Sequence, residues 1–269
     1  MAGIYLHIPF CSRRCHYCDF YSTANLSQKK ELLHAIAIEI GLQKDYLMGE
    51  EVHTVYFGGG TPSLLTPDEI KALLYRLSQH HRISCEAEIT LEANPDDITG
   101  AYIRDIKTAG INRLSLGMQS FSDAELKLLN RRHDAGQAIQ SVHTAVENGI
   151  GNISIDLIYG LPGQMPETWE SNIRQALELP AEHVSAYHLT IEKGTAFHRM
   201  LKKEKIREAD ESLSLRMFEM LMDLTAEKGF EHYEISNFAR NKKFSRHNSA
   251  YWKGEKYLGL GPAAHSYNG

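Results

Sequence analysis

Cysteine is scarce in this chain, which has only 4 among its 269 residues. So few cysteines cannot form the disulfide framework that holds many small secreted folds together. Long apolar runs are also missing, so no segment is predicted to span a membrane. The N-terminus lacks the basic-then-apolar layout of a signal peptide. From these absences we expect a cytoplasmic protein whose thiols stay reduced.

The chain has no excess of basic charge, since its formal net charge is -5 and its 29 Lys and Arg residues are spread along the sequence. Proteins that bind nucleic acid typically concentrate basic residues in a patch or stripe. We therefore expect no nucleic-acid partner. Repeats, low-complexity segments and Pro/Ser-rich linkers are absent as well, and a hydrophobic content of 42% is enough for a large core.

Three of the four cysteines lie close together, in the spacing C-x3-C-x2-C formed by Cys11, Cys15 and Cys18. Soft thiolate ligands select zinc, copper(I) or iron–sulfur clusters. A structural zinc site needs a fourth protein ligand, and no nearby Cys or His pair at zinc-finger spacing supplies one. An iron–sulfur cluster in which one iron has no protein ligand explains the three cysteines better than a chance grouping or a disulfide. The fourth cysteine, Cys85, is expected to be a small buried hydrophobic residue.

Strand and helix patterns alternate along most of the chain and predict six βα units. Helix starts are predicted from Ser27 and from capping boxes at Thr66 and Ser122. Gly149 is predicted to end another helix. Right-handed crossovers would curl the parallel strands into a partial (β/α)6 barrel of the α/β class. The strands are predicted over residues 4–10, 53–57, 86–92, 113–119, 152–159 and 183–191.

The predicted strands alternate apolar and polar residues, although parallel strands covered on both faces should be apolar throughout. Because helices must cover the apolar faces, the polar faces should line the barrel lumen and form a binding cavity. A buried salt bridge, such as Arg113 with Glu88, is an equally good explanation for those two residues. Glu92, Gln119 and Asp156 lie near the C-terminal ends of their strands, where barrels of this type carry the active site.

The stretch from Tyr5 to Cys18, Tyr5-x-His7-Ile8-Pro9-Phe10-Cys11-x3-Cys15-x2-Cys18, resembles the cluster-binding loop of radical S-adenosylmethionine (SAM) enzymes. Its flanking residues are similar to the oxygen-independent coproporphyrinogen III oxidase family and its HemW-type heme chaperone branch. The resemblance implies a radical SAM TIM-like partial barrel. It also implies a [4Fe-4S] cluster on the three cysteines, with the fourth iron offered to SAM and a 5'-deoxyadenosyl radical as the product of one-electron reduction.

The same resemblance assigns residues to SAM. Gly58-Gly59-Gly60-Thr61-Pro62 is by itself a weak signal, and it is not a phosphate loop because the G-x4-G-K-[ST] pattern is absent. Carboxylates suit the ammonium and ribose of SAM, and an arginine fork suits its carboxylate. The residues implied to contact SAM are Tyr5, Gly59, Gly60, Thr61, Glu92, Gln119, Arg131 and Asp156.

Phe20 is the main departure from the oxidases of the family, whose loop reads C-x3-C-x2-C-x-C. It matches the HemW-type branch, as does the H-N-x-x-Y-W stretch that begins at His247. Imidazole can ligate heme iron and aromatic rings can stack on a porphyrin. The alternative to a heme site is that this stretch forms an edge hairpin, with a capping histidine and a small aromatic core. His265 is a weaker second candidate ligand.

The resemblance therefore favours a heme chaperone over a coproporphyrinogen III dehydrogenase-like oxidoreductase, and the polar lumen disfavours a purely structural metal-binding module. The implied partners are heme or a porphyrin, a heme-acceptor protein that could be membrane-associated, and an electron donor such as flavodoxin or ferredoxin. We expect residues 1–200 to form the barrel core. Residues 201–269 should supply a closing helix and strand and the start of a C-terminal region. Family members normally continue into a further domain, so we expect exposed apolar surface near residues 230–269.

Overall fold

The protein is described by a computed structural model that covers residues 2–269. Its centre is a nine-stranded sheet with the order β7-β8-β6-β5-β4-β3-β2-β1-β9. The strands are β1 (Ala2–Ile8), β2 (Val52–Gly59), β3 (Ile83–Ala93), β4 (Arg113–Gln119), β5 (Ile153–Tyr159), β6 (His183–His188), β7 (Glu231–His232), β8 (Asn237–Ala239) and β9 (Lys256–Leu260).

The first six strands pair in parallel and in chain order, which confirms the predicted α/β fold class. Three further strands extend the sheet at its edges, with β7 pairing antiparallel to β8. The strand β9 pairs in parallel with β1, with Tyr5 opposite Gly259. At the other edge β8 pairs antiparallel with β6, with Phe238 opposite Val184. Polar side chains from β2 through β6 line one cavity, so the sheet curls into a partial barrel.

Helices cover the outer face of the sheet, and their starts follow local capping chemistry. The predicted capping box at Thr66 is present, with reciprocal hydrogen bonds between Thr66 and Glu69. The helices are α1 (Lys29–Leu42), α2 (Pro67–His80), α3 (Gly100–Ala109), α4 (Asp123–Leu128), α5 (Ala135–Glu147), α6 (Pro166–Glu178), α7 (Ala196–Lys202), α8 (Glu211–Glu227) and α9 (Arg246–Trp252).

Two other predicted caps differ in the structure, although Ser122 does occupy the N-cap position of α4 as predicted. Asn25, not Ser27, caps the short 3-10 helix Leu26–Gln28 that precedes α1. Ser122 makes no side-chain capping bond at α4. Glu125, the expected partner of Ser122, is instead buried and accepts hydrogen bonds from Ser120 and Asn172. Tertiary contacts have replaced the local cap there.

As predicted from the alternating pattern, apolar strand residues lie in the core and polar strand residues face the lumen. Leu91, Leu116 and Ile155 are fully buried beneath the helices. Their polar neighbours in sequence Glu92, Ser115 and Asp156 line the cavity. The expectation for Cys85 is wrong, because this residue is exposed. It lies where the pairing of β2 with β3 shifts register, between Ile83 and Glu88, so the sheet does not cover it.

Four large apolar or aromatic side chains are exposed near residues 230–269, where apolar surface was expected. Ile235 is 68% exposed and Trp252 is 63% exposed, and Tyr251 and Tyr267 are exposed nearby. Within residues 2–269 no helix has both the length and the apolar character needed to cross a lipid bilayer.

Candidate active site

The cysteine loop follows the C-terminal end of β1 and is pinned to the rest of the barrel by backbone hydrogen bonds. The N–H of Cys11 donates to the Thr23 carbonyl (3.0 Å), and the N–H of Thr23 donates to the Pro9 carbonyl (2.7 Å). Further along, the N–H of His16 donates to the Leu129 carbonyl (3.1 Å). The loop therefore has a defined path although it contains no helix or strand.

All three cysteines of the loop line one cavity of about 450 Å³, and none is in a disulfide. Burial raises the pKa of Cys11, and it raises the pKa of Cys18 to about 11. Two donors approach the sulfur atoms: Thr61 Oγ1 lies 3.4 Å from Cys11 Sγ, and Arg131 Nη1 lies 3.3 Å from Cys15 Sγ. A thiolate is the metal-ligating form of cysteine, and such donors favour it over the thiol.

These donors fit a thiolate-held iron–sulfur cluster. Three free thiols share one wall of a cavity, and the space in front of them is open to a further ligand. Among the residues that the structure describes, no three Cys, His, Asp or Glu side chains are arranged to hold a single metal ion. Cys11, Cys15 and Cys18 would hold the cluster through their sulfur atoms.

The glycine motif continues β2 directly against the cysteine loop. The N–H of Gly60 donates to the Ile8 carbonyl (2.8 Å), and the N–H of Thr61 donates to the Phe10 carbonyl (2.7 Å). A Cβ atom on Gly60 would lie 2.7 Å from the Phe10 carbonyl oxygen. Only glycine permits this close approach. A glycine at position 60 therefore allows the end of β2 to pack directly against the cluster loop.

Glu92, at the end of β3, is held by two donors. Tyr56 Oη donates to Glu92 Oε1 (2.9 Å), and the N–H of Gly59 donates to Glu92 Oε2 (3.1 Å). Burial raises the pKa of Glu92 to about 7, and the nearby Asp156 carboxylate adds to the increase. A cationic group placed here would stabilise the ionised form.

Asp156 faces the same cavity from β5. Ser115 Oγ lies 3.1 and 3.0 Å from its two carboxylate oxygens. Burial raises the pKa of Asp156 to about 6, although the Ser115 hydroxyl and the Arg113 guanidinium both act to lower it. The cavity therefore holds two carboxylates, at Glu92 and Asp156, that are suited to hydroxyl and ammonium groups.

Arg131 reaches into the cavity between the cysteine loop and β4. Its Nη2 donates to Asn94 Oδ1 (2.5 Å) and to the Gly117 carbonyl (2.7 Å). Its Nε is buried and has no hydrogen-bond partner among residues 2–269. A buried donor without a partner is costly, and Arg131 as a whole lines the cavity.

The structure brings most of the predicted site residues to one wall. Gln119 belongs to this set, and its positive φ of 70° turns the end of β4 into the cavity. The predicted residues that line the cavity are Cys11, Cys15, Cys18, Gly59, Gly60, Thr61, Glu92, Gln119, Arg131 and Asp156.

Comparison with known proteins identifies this arrangement. Residues 5–176, which include all ten of these lining residues, match the model of the Radical SAM superfamily. The chain belongs to the radical SAM superfamily. Membership implies a [4Fe-4S] cluster and SAM as the cofactors of this cavity, and the donors described above suit both of them.

Two curated relatives align with nearly all of this radical SAM chain. The heme chaperone HemW of Bacillus subtilis is 38% identical over 271 residues, which covers 100% of this chain and 72% of the relative. Radical S-adenosyl methionine domain-containing protein 1, mitochondrial, of Bos taurus is 38% identical over 266 residues, covering 98% of this chain and 60% of the relative. The resemblance to the HemW-type branch is confirmed, and the chain spans about 60% of the length of the vertebrate relative.

A solved structure supports the same radical SAM fold. Coproporphyrinogen III oxidase (HemN) from Escherichia coli, described as a radical SAM enzyme, superposes with a TM-score of 0.84 at 26% identity. The match covers 98% of this chain and 64% of that chain. The predicted radical SAM partial barrel is therefore confirmed.

Two of the predicted residues do not line the radical SAM cavity. Tyr5 lies behind the glycine motif, where its hydroxyl bonds to His7 Nδ1 (3.2 Å). His247 is buried on α9, and both of its ring nitrogens are hydrogen-bonded: Nδ1 to Thr54 Oγ1 (2.8 Å) and Nε2 to Tyr251 Oη (2.9 Å). Its ring also stacks on Tyr56 at 5.0 Å. The predicted ligand therefore lies one layer away from the cavity wall.

Sequence reasoning missed Tyr56 and Asn94. Tyr56 lies on the same face of β2 as Thr54, so the polar alternation used for the later strands could have revealed it. Asn94 is part of the Leu91-Glu92-Ala93-Asn94-Pro95 stretch, but no pattern linked it to Arg131. Other cavity residues that were not predicted are Ser185, Tyr187 and His188.

Proposed function

We propose that this chain is a heme chaperone of the radical SAM superfamily, which binds a [4Fe-4S] cluster, SAM and heme and passes heme to acceptor proteins. The observation that carries the proposal is the alignment with proteins named heme chaperone HemW, at 36 to 38% identity over nearly the whole chain. When bound, the cluster and SAM supply one-electron chemistry. The residues of this chain position them and exclude other ligands.

Phe20 supports the chaperone function over the oxidase. It stands where the oxidases of the family are expected to have a fourth cysteine, and it lies 64% exposed at the cavity wall. No thiol other than Cys11, Cys15 and Cys18 lines the cavity within the described part of the chain. The loop thus has three cysteines to hold a cluster, and it lacks the fourth cysteine expected in the oxidases.

His247 is our proposed heme ligand, and its surroundings suggest how iron would reach it. Burial lowers the pKa of His247 to about 3, so the ring is neutral, which is the ligating form. Its Nε2 is capped by the hydroxyl of Tyr251, a residue that is 41% exposed. If the Tyr251 side chain turns outward, Nε2 opens toward the surface while the Thr54 bond continues to hold Nδ1. His247 Nε2 would then be free to ligate the heme iron.

The remaining assignments are parts of the same proposal. Tyr5, Gly59, Gly60, Thr61, Glu92, Gln119, Arg131 and Asp156 would bind or support SAM. An electron donor such as flavodoxin or ferredoxin would reduce the cluster, and the heme acceptor would include membrane-associated proteins. We propose a cytoplasmic location. We also propose a division into a barrel core, residues 1–200, and a closing region, residues 201–269.

The test is anaerobic reconstitution with iron and sulfide, followed by a heme titration monitored by visible absorption. We expect one heme per chain and a shift of the heme Soret band. His247→Ala should weaken heme binding and leave the brown cluster absorption intact. The exposed His143 on α5 serves as the matched control, since His143→Ala should leave both signals unchanged. Absence of heme binding by the reconstituted protein would refute the chaperone function.

The second candidate is an oxygen-independent coproporphyrinogen III oxidase. The structural match to HemN favours it, as do the three cysteines and the predicted SAM-contacting residues that line the cavity. This reaction is an oxidative decarboxylation, so incubation with coproporphyrinogen III, SAM and reductant would yield protoporphyrinogen and carbon dioxide. Product formation without heme binding would select the oxidase.

A further inference from the structure

A second cleft lies at the end of the barrel opposite the cysteine loop. It has a volume of about 180 Å³ and opens where β1 and β2 begin, beside Ala2, His53 and Thr54. One face of α9 and the loop before it form the other wall. None of the residues assigned to the cluster or to SAM lines it.

The cleft is rich in positive charge. Lys242, Arg246 and Lys253 line it, together with His53, and Glu255 is the one carboxylate in the lining that the structure describes. The side chain of Arg246 is fixed by a hydrogen bond from Nη1 to the Glu86 carbonyl (2.8 Å). Neither lysine ammonium has an ion-pair partner among residues 2–269. Two lysines and an arginine therefore face one lining carboxylate, and this excess of positive charge favours an anionic ligand.

The cleft adjoins the imidazole of His247. Arg246, Ser249, Ala250 and Lys253 are spaced as one face of a helix and line the cleft. Thr54 belongs to the cleft lining and also bonds to His247 Nδ1 (2.8 Å). One hydroxyl group therefore separates the basic cleft from the Nδ1 edge of the His247 ring, whose other nitrogen, Nε2, is the proposed iron-binding atom.

We propose that this basic cleft binds the carboxylate side chains of a tetrapyrrole such as heme, an inference that rests on the proposed heme-binding function. A water molecule occupies about 30 Å³ of liquid, so the cleft has room for carboxylate groups and their water but not for the macrocycle. The ring would stay outside, next to the apolar surface of Phe244 and Ala250. Lysines suit this task, because their flexible stems let a point charge follow a mobile carboxylate.

The experiment compares heme with heme dimethyl ester, which has no free carboxylate. Both are titrated into the reconstituted protein and into the variant Lys242→Glu/Lys253→Glu. The matched control is Lys71→Glu/Lys202→Glu, which makes the same charge change at exposed positions outside the cleft. Thermal unfolding of each variant checks that it is folded.

We expect the cleft variant to bind heme at least tenfold more weakly than the control variant, and to bind the ester as well as the control does. Equal heme affinity in the two variants would overturn the cleft assignment while heme binding itself stands. If the wild-type protein binds neither heme nor its ester, the proposed function fails.

A titration with inorganic phosphate tests whether the cleft binds a phosphate-bearing ligand instead of a tetrapyrrole carboxylate. A phosphate-induced rise in Tm that is lost in the cleft variant, with no change in heme affinity, would assign the cleft to a phosphate-bearing ligand. That result would overturn the tetrapyrrole assignment.

Discussion

Tyr56 donates its hydroxyl to Glu92 at 2.9 Å, while its ring stacks on His247 at 5.0 Å. One side chain thus contacts both the carboxylate proposed to bind SAM and the histidine proposed to bind heme. Tyr56 therefore connects the two proposed sites directly, and this contact provides a test of the SAM site.

Tyr56→Phe should weaken SAM binding about tenfold, because a hydrogen bond to a charged group contributes about 1.5 to 3 kcal/mol. Without the hydroxyl the ionised form of Glu92 loses a donor, and its pKa should rise further. Isothermal titration with SAM at pH 8 measures the change. The exposed Tyr75 offers the control, since Tyr75→Phe should bind SAM like the wild type. Unaltered affinity in Tyr56→Phe would remove Tyr56 from the site.

SAM affinity should depend on pH through Glu92. The pKa of Glu92 is raised from 4.5 to about 7, so the carboxylate gains its charge between pH 6 and pH 8. A carboxylate that binds an ammonium should therefore bind SAM about tenfold more tightly at pH 8 than at pH 6. Glu92→Gln should bind weakly and show no such rise. A wild-type affinity that is constant across this range would contradict the assignment.

The same pKa shift predicts the pH dependence of stability in the absence of ligand. A folded-state pKa above the ordinary value means that the folded protein holds the proton more tightly than the unfolded chain. Stability should then decrease as the pH rises from 4.5 to about 7. The loss should be at most about 3 kcal/mol, and Glu92→Gln should abolish that part of it. Urea unfolding at several pH values tests this, and a wild-type stability that increases over the same range would contradict it.

The contacts that position the site differ in sequence separation, and this separation determines which of them could be predicted from the sequence. The periods of two and 3.6 residues report which face of a strand or helix is buried, so the six parallel strands and the polar lumen of Glu92 and Asp156 were predictable. Capping by Thr66 was predictable because its partner is three residues away. Glu125 was not, because it bonds to Asn172 across 47 residues.

The same limit applies to the ligands. Spacing along the chain indicated that Cys11, Cys15 and Cys18 act together. The imidazole of His247, by contrast, is neutral, buried and bonded to Thr54 across 193 residues. No local pattern encodes which face of a short helix such as α9 turns inward.

Asn94 should prove to be a positioning residue for Arg131. Its Oδ1 accepts from Arg131 Nη2 at 2.5 Å, and its Nδ2 lies 3.5 Å from Thr61 Oγ1. Asn94→Ala would free the guanidinium to turn away from the cavity, so we expect SAM affinity to fall about tenfold. Asn94→Asp, which keeps the acceptor oxygen, should restore most of it. Cluster absorption should remain in both variants, and loss of the cluster in Asn94→Ala would point to a different role.

Glu88 should contribute more to stability than any exposed carboxylate of β3. Its Oε2 lies 3.9 Å from Arg113 Nε, and both side chains are buried. Its Oε1 accepts the N–H groups of Arg246 and His247 (3.0 and 3.2 Å) at the start of α9. Glu88→Ala would leave a buried cation and two amides without their partner, so it should lower the free energy of unfolding by about 3 to 5 kcal/mol.

The exposed Glu86 on the same strand is the matched control, and Glu86→Ala should change stability by less than about 0.5 kcal/mol. Adding Arg113→Met to Glu88→Ala should recover part of the loss, because the buried charge then disappears. Urea unfolding of the two single variants and the double variant gives the coupling energy directly. If the double variant is destabilised by the sum of the single changes, then Arg113 and Glu88 do not interact, and the stability provided by Glu88 comes from its bonds to α9 alone.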